Sequence, residues 1–249
     1  MDFISKEIIF EIENVCNWNL ETHKTVYPPR EDTYLLAKAI LKMTKNQGLA
    51  LEIGCGSGAL SMLLASLGWK VMAYDVNPYA VACARGNVKK YGFEDTVKIE
   101  EGGITENIKI SDKIDLIVWN LPYLDPVGDD ENKLEYIEEA AYLDIESGGW
   151  SRRLIDTLEM SKISNECLVM LLFRTLPESN SYPSLWNERG WSGRRITEEL
   201  IGDEKLEVYA FWRPGKNSSP IVIEECQSTM DEVKKIKKGD WTRIMTKKQ

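Results

Sequence analysis

The feature that most constrains this chain is a repeated switch from a short apolar strand to a capped helix, with a glycine cluster at the first switch. Leu49-Ala50-Leu51-Glu52-Ile53 reads as a buried strand and runs directly into Gly54-Cys55-Gly56-Ser57-Gly58. Residues 59–67 then form an apolar helix, closed by Gly68 at its C′ position. Lys70-Val71-Met72-Ala73-Tyr74 is the next strand and ends at Asp75. Asn77 as N-cap and Pro78 at N1 start a helix over 78–91, with Gly92 after it. Two more strands are expected over 96–100 and 115–119. A helix over 150–163 carries Leu154, Ile155 and Leu158, and is followed by a near-continuous apolar run over 167–173 and a last strand over 205–212. Upstream, Glu31 and Asp32 precede Leu35, Leu36, Ala39 and Ile40, which predicts a helix with acids in its first turn and one apolar face. Strands apolar on both faces that alternate with helices imply an α/β fold, with a mostly parallel sheet and helices on both faces.

Composition narrows the chemistry before any site is chosen. The 249 residues hold one histidine, His23, which nearly removes Ser/His/Asp and Cys/His nucleophiles and any multi-histidine metal site. The five cysteines are scattered with no Cys-x-x-Cys pair, so neither a disulfide framework nor a zinc knot is expected. No apolar run reaches the roughly 18 residues of a spanning helix, and the charged N-terminus lacks a signal-peptide core; a cytoplasmic protein is expected. A net charge of −9 opposes nucleic acid overall. The alternation stops near Arg213-Pro214-Gly215. Residues 1–213 are therefore expected to form one domain, and 214–249 a basic extension centred on Lys234-Lys235-Ile236-Lys237-Lys238. A solvated tail is the favoured reading of that run, with an added element or an acidic-partner docking segment as alternatives.

In an open α/β sheet, ligands bind at the carboxyl ends of the strands. Three unusual segments fall there. Gly54, Gly56 and Gly58 let the backbone approach a ligand closely and present amides at a helix N-terminus. Glu52 beside them suits the ammonium of an amino acid better than a pyrophosphate, and the glycine spacing departs from the dinucleotide fingerprint. Asp75 can accept both hydroxyls of a ribose. Asn120-Leu121-Pro122-Tyr123 ends the fourth strand, where one amide, the adjacent carbonyls and a flat ring can grip a planar –NH₂ group.

As a set, Glu-x-Gly-x-Gly-x-Gly, an acid after the second strand and Asn-x-Pro-Tyr resemble the class I S-adenosylmethionine-dependent methyltransferases that act on planar nitrogens. Within that class, Val26-Tyr27-Pro28-Pro29-Arg30-Glu31-Asp32-Thr33 followed by leucines resembles the upstream cofactor segment of the HemK-type release-factor glutamine methyltransferases. With 51 residues before Glu52, the chain is similar to the short archaeal/eukaryotic form, which lacks the bacterial N-terminal helical domain. The resemblance covers about residues 20–213 and implies a Rossmann-like class I fold with S-adenosyl-L-methionine as cofactor. It places Thr33 at the methionine end with Glu52 and Gly54, and Asn120, Pro122 and Tyr123 at the acceptor amide. Glu101 would replace the family's adenine-side aspartate, and Leu121 stands where the family prefers proline.

The resemblance also implies a function and partners. Asn120 Oδ1 and a backbone carbonyl would accept the two N–H bonds of a glutamine in the Gly-Gly-Gln loop of a translation release factor, aiming its nitrogen at the sulfonium methyl. A small zinc-binding activator subunit is the implied partner. Two alternatives stay open: methylation of exocyclic adenine or guanine amines in RNA or DNA, and a noncatalytic cofactor-binding scaffold. Glu21, His23 and Tyr27 are read as structural, with His23 as the one candidate proton acceptor.

Overall fold

A computed structural model describes residues 5–42, 48–105, 108–123, 144, 149–175, 181–201 and 204–215. The basic extension beyond 215 lies outside these residues. The chain opens with a hairpin of β1 (Ser5–Ile12) and β2 (Cys16–His23), and then enters helix α1 (Glu31–Lys42). Next come β3 (Leu49–Ile53), α2 (Ala59–Ser66), β4 (Lys70–Asp75), α3 (Pro78–Lys90), β5 (Val97–Glu101) and β6 (Ile114–Asn120). The described remainder holds α4 (Gly149–Met160), β7 (Leu168–Thr175), α5 (Ser184–Glu188), β8 (Ser192–Ile201) and β9 (Glu204–Trp212).

Among the described residues, seven strands form one sheet in the order β5-β4-β3-β6-β7-β9-β8. The first five pair in parallel, while β9 runs antiparallel between β7 and β8. The chain proceeds outward from β3 to β5 and then returns to place β6 on the other side of β3. That reversal opens a crevice at the carboxyl ends of β3 and β6.

Two apolar layers bury the sheet. Leu35, Leu36 and Ile40 of α1, the leucines of α2 and Val81 and Val88 of α3 cover one face, against Ala50, Ala73, Ile99 and Val118. Leu154, Ile155 and Leu158 of α4 with Trp186 of α5 cover the other, against Leu51, Ile117, Leu171 and Phe211. Helix α2 is buried on every side, consistent with its lack of charge. Each of its leucines contributes roughly 1.5–3 kcal/mol by leaving water. The sequence-based N-cap of α3 is present: Asn77 accepts from the Tyr79 amide at 2.9 Å, with Pro78 opening the helix.

The hairpin and β8 were not expected from sequence. β1 and β2 alternate around Phe10, Trp18 and Leu20, which pack with Tyr34, Tyr91 and Phe93, and Asn14 takes φ 60 at the turn. Asn87 in α3 pins this hairpin, donating to the Glu21 and Ser57 carbonyls and accepting from the Glu21 amide. β8 is an edge strand rich in charge, with its register broken between Arg195 and Thr197. That break removes the alternation by which a strand is recognised.

Candidate functional site

Sheet register places the predicted site residues together. Glu52 pairs with Ala73 on one side and Val118 on the other. Asp75 and Asn120 lie two residues beyond those partners, so all three side chains leave the same face of the sheet. Glu101 pairs directly with Asp75 and shares that face, but it is exposed. Above this row the turn after β3 holds Gly54, Gly56 and Gly58 at φ 66, 53 and 83, values that disfavour a side chain. Gly58 also lets α2 meet α3, since a Cβ there would stand 3.2 Å from that of Ala84.

Asp75 organises the turn. One carboxylate oxygen accepts from the Gly56 amide at 2.8 Å and the other from the Asn77 amide at 2.9 Å. Burial raises its pKa, and the two amides oppose that rise. Each oxygen keeps a further lone pair, enough for two adjacent hydroxyls. Glu52 is 3% exposed and accepts from the Ser61 hydroxyl. Burial first, then the Asp75 charge, pushes its pKa up to about 8, against the lowering influence of Ser61. Among the described residues, no cation forms an ion pair with either acid.

The acceptor side is organised by Asp32, whose sequence signals are a place in the first turn of a helix and in the segment that resembles the upstream cofactor segment. Its Oδ2 accepts from the Tyr27 hydroxyl at 2.8 Å, the Asn120 Nδ2 at 3.1 Å and the Tyr123 hydroxyl at 3.0 Å. Its Oδ1 accepts from the Thr33 amide at 2.6 Å and hydroxyl at 3.2 Å. Asn120 Oδ1 is buried and has no hydrogen-bond partner. Pro122 is buried behind it and Tyr123 is half-buried. Leu121 points into the opposite apolar layer with Trp119, so packing accounts for leucine in this loop.

Other side chains fall into place around this group. Val76, directly after Asp75, is 48% exposed and offers an apolar platform at the end of β4. A Cβ on Gly103 would come within 2.4 Å of Val76, so the neighbouring turn is shaped around that valine. A lone valine after an acid carries no signal in the sequence, so Val76 becomes visible only in the structure. His23 is buried, stacks on Tyr79 at 4.2 Å and has Nδ1 2.9 Å from the Thr25 hydroxyl. That position supports the hairpin rather than the row of site residues. Tyr27, read as structural, belongs to the Asp32 group; its proline-flanked segment was the available signal.

These residues suit a small ligand that carries both a positive charge and a ribose. Two buried acids without a counter-ion favour a cation, and glycine amides at the start of α2 approach it closely. The bare Asn120 Oδ1 adds an acceptor for an N–H.

Residues 20–155 match the family model described as the methyltransferase small domain. A Methanocaldococcus jannaschii chain that bears the name of a protein N5-glutamine methyltransferase is 35% identical over 150 residues, covering 60% of this chain and 69% of the relative. A release factor glutamine methyltransferase of Aliivibrio fischeri is 27% identical over 197 residues, covering 75% of this chain and 67% of the relative. Among solved structures, a 16S rRNA N2 G1207 methyltransferase of T. thermophilus, in complex with AdoMet and guanosine, shares the fold. Its TM-score is 0.55 at 13% identity, with 84% of this chain and 51% of that one covered.

Proposed function

Because the chain belongs to the methyltransferase small domain family, and is a methyltransferase that uses S-adenosylmethionine, we propose that its acceptor is the side-chain amide of a glutamine in a translation release factor. The observation that carries this reading is the bare, buried Asn120 Oδ1 beside an Nδ2 already committed to Asp32. Such a group recognises an N–H donor. The names of the two relatives above supply the glutamine and the release factor; the Gly-Gly-Gln loop rests on the resemblance alone.

The residues divide the task. Glu52 meets the ammonium of the cofactor, Thr33 and Gly54 flank its methionine end, and Asp75 takes the ribose hydroxyls. Gly56 holds Asp75 in place, Val76 faces the adenine, and Glu101 lies at the rim. Bound there, the cofactor supplies an electrophilic methyl on a sulfonium. Asn120 Oδ1 accepts one N–H of the substrate amide and the loop carbonyls accept the other, with Pro122 shaping the loop and Tyr123 stacking on the amide plane. An amide nitrogen is a weak nucleophile because its lone pair is delocalised. Fixing its orientation can supply several kcal/mol, up to roughly 7–11 in the best intramolecular cases. Overall, amide and sulfonium give N-methylamide, thioether and a proton. The domain carrying this chemistry is residues 1–213, with 214–249 as a basic extension and a small zinc-binding subunit as partner.

The test offers purified release factor and RNA side by side to the enzyme with methyl-labelled cofactor, with and without that subunit. Label should enter a glutamine, with weak salt dependence between about 50 and 200 mM, where a binder of 6–10 phosphates loses roughly 10³–10⁵ in affinity. Asn120→Ala should lower the rate by about 10²–10³ while sparing cofactor binding. Label in RNA that disappears with salt overturns the glutamine reading in favour of an exocyclic base amine.

A further inference from the structure

We infer that Asp32 is a positioning residue for methyl transfer, whose carboxylate decides which end of the Asn120 amide faces the acceptor. The inference rests on the amide-nitrogen reading of the site given above. An asparagine side chain has two orientations of nearly equal shape that exchange an acceptor for two donors. Only one of them serves a substrate that must present N–H. The choice is made 88 residues away in sequence, in the first turn of α1.

Asp32 makes that choice because an ionised carboxylate accepts and never donates. Its Oδ2 lies 3.1 Å from Asn120 Nδ2, so the reversed amide would set two oxygens against each other. The same oxygen receives the Tyr27 and Tyr123 hydroxyls at 2.8 and 3.0 Å. Burial, followed by the charge of Asp32, holds the Tyr27 phenol well above its usual pKa, so it remains a donor. Oδ1 is held by the Thr33 amide and hydroxyl, which fix the carboxylate plane. Five donors converge on one buried group, and Asn120 Oδ1 is left as the bare atom of the arrangement. A first-turn acid serving its own helix would need only the Thr33 contacts.

An asparagine at position 32 keeps the shape and loses this control. Its –NH₂ must face either the Thr33 amide or the Tyr27, Asn120 and Tyr123 donors. In the second case Asn120 turns over and presents Nδ2 to the substrate, donor against donor.

The experiment is Asp32→Asn in the full chain, read in three ways. The kcat for release-factor glutamine should fall by about 100-fold with cofactor affinity unchanged. In asparagine-labelled protein, the Asn120 side-chain –NH₂ resonance, assigned by its loss in Asn120→Ala, should move. Exchanging the pair, Asp32→Asn with Asn120→Asp, restores an amide-to-carboxylate contact and a bare oxygen, and should recover about tenfold of the lost rate. An unmoved Asn120 resonance, an unaltered kcat, or a cofactor affinity that falls as far as kcat overturns the inference. Should Asp32→Asn alone not fold, the exchanged pair is compared with Asn120→Asp, in which the amide donor between positions 32 and 120 is lost and two carboxylates face each other; no recovery there overturns it equally. If the unaltered enzyme methylates no glutamine, the proposed substrate fails, while the resonance still decides the role of Asp32.

Discussion

Glu52 and Glu207 are each 3% exposed, sit on neighbouring regions of one sheet and live in opposite electrostatic worlds. Glu207, in the antiparallel half, has Arg195 at 2.7 Å and Lys205 at 3.0 Å, and Glu198 bridges the same two cations from outside. Tyr209 adds a hydroxyl at 3.3 Å. Glu52, in the parallel half, has a serine hydroxyl and the repulsion of Asp75. Burying an unpaired carboxylate is costly, and the group responds by holding its proton. The antiparallel half has brought its own counter-charges, so its buried acid is structural. The parallel half leaves two acids without an ion-pair partner among the described residues at the open end of the sheet, where the proposed cofactor would bring the cation.

The comparison is broken most forcefully at Asp75. With Asp75 in its proposed role, Asp75→Ala would remove two charge-assisted bonds to the ribose, each worth about 1.5–3 kcal/mol, and free the Gly56 amide it now holds. Calorimetric titration should show S-adenosylmethionine binding weakened by about 100-fold or more in a folded variant. An unchanged dissociation constant removes Asp75 from the cofactor site.

A pH series sharpens the contrast next. With its folded pKa near 8, against an ordinary value of 4.5, Glu52 carries a proton in the free protein at neutral pH. Raised carboxylate pKa values make the free fold most stable at low pH and cost it stability as pH rises from the ordinary carboxylate range to about 8. The bound ammonium has the opposite preference, since it favours ionised Glu52. Cofactor affinity should therefore rise by up to about tenfold per pH unit below 8, with release of a proton, and level off above. Glu52→Gln should flatten that profile; a wild-type affinity independent of pH between about 6 and 8 contradicts the assignment.

The antiparallel acid should behave in the reverse manner. Glu207→Gln removes the buried carboxylate that Arg195 and Lys205 share and leaves them their pairs with Glu198, and thermal unfolding should report a loss of about 1–2 kcal/mol with cofactor binding unaltered. A change in cofactor affinity there would erase the distinction between the two halves. The smallest effect is at the rim. Glu101→Gln should weaken the cofactor about twofold, as suits an exposed group, while Glu100→Gln does nothing. The reverse order would move the adenine contact by one residue and onto the other face of β5.

Sequence and structure agree where local chemistry is decisive. β3 spans the residues read as a strand, Gly68 and Gly92 take φ 91 and 72 beyond their helices, and Asn77 caps α3. The parallel strands were legible because both of their faces are buried, which leaves an unbroken apolar signature. The hairpin of β1 and β2 does alternate around Phe10, Trp18 and Leu20, but its pattern lies among charges that face outward. β8 exposes one edge and is interrupted at Ile196, so neither run nor alternation survives.

The amino-acid sequence by itself determined the α/β alternation, the glycine turn and the residue types at the ends of β3, β4 and β6, because strand, turn and cap preferences act over a few neighbouring residues. Register then forced Glu52, Asp75 and Asn120 onto one face, a consequence of the two-residue period of a strand. Only the tertiary structure decided that Asp32, in the first turn of α1, would hold Tyr27, Asn120 and Tyr123. It also decided that Glu207 would be neutralised while Glu52 would not. Both outcomes depend on partners that other elements bring within about 3 Å, the reach of a hydrogen bond: Asn120 and Tyr123 to Asp32, and Arg195 of β8 to Glu207. No local preference along the chain encodes that distance.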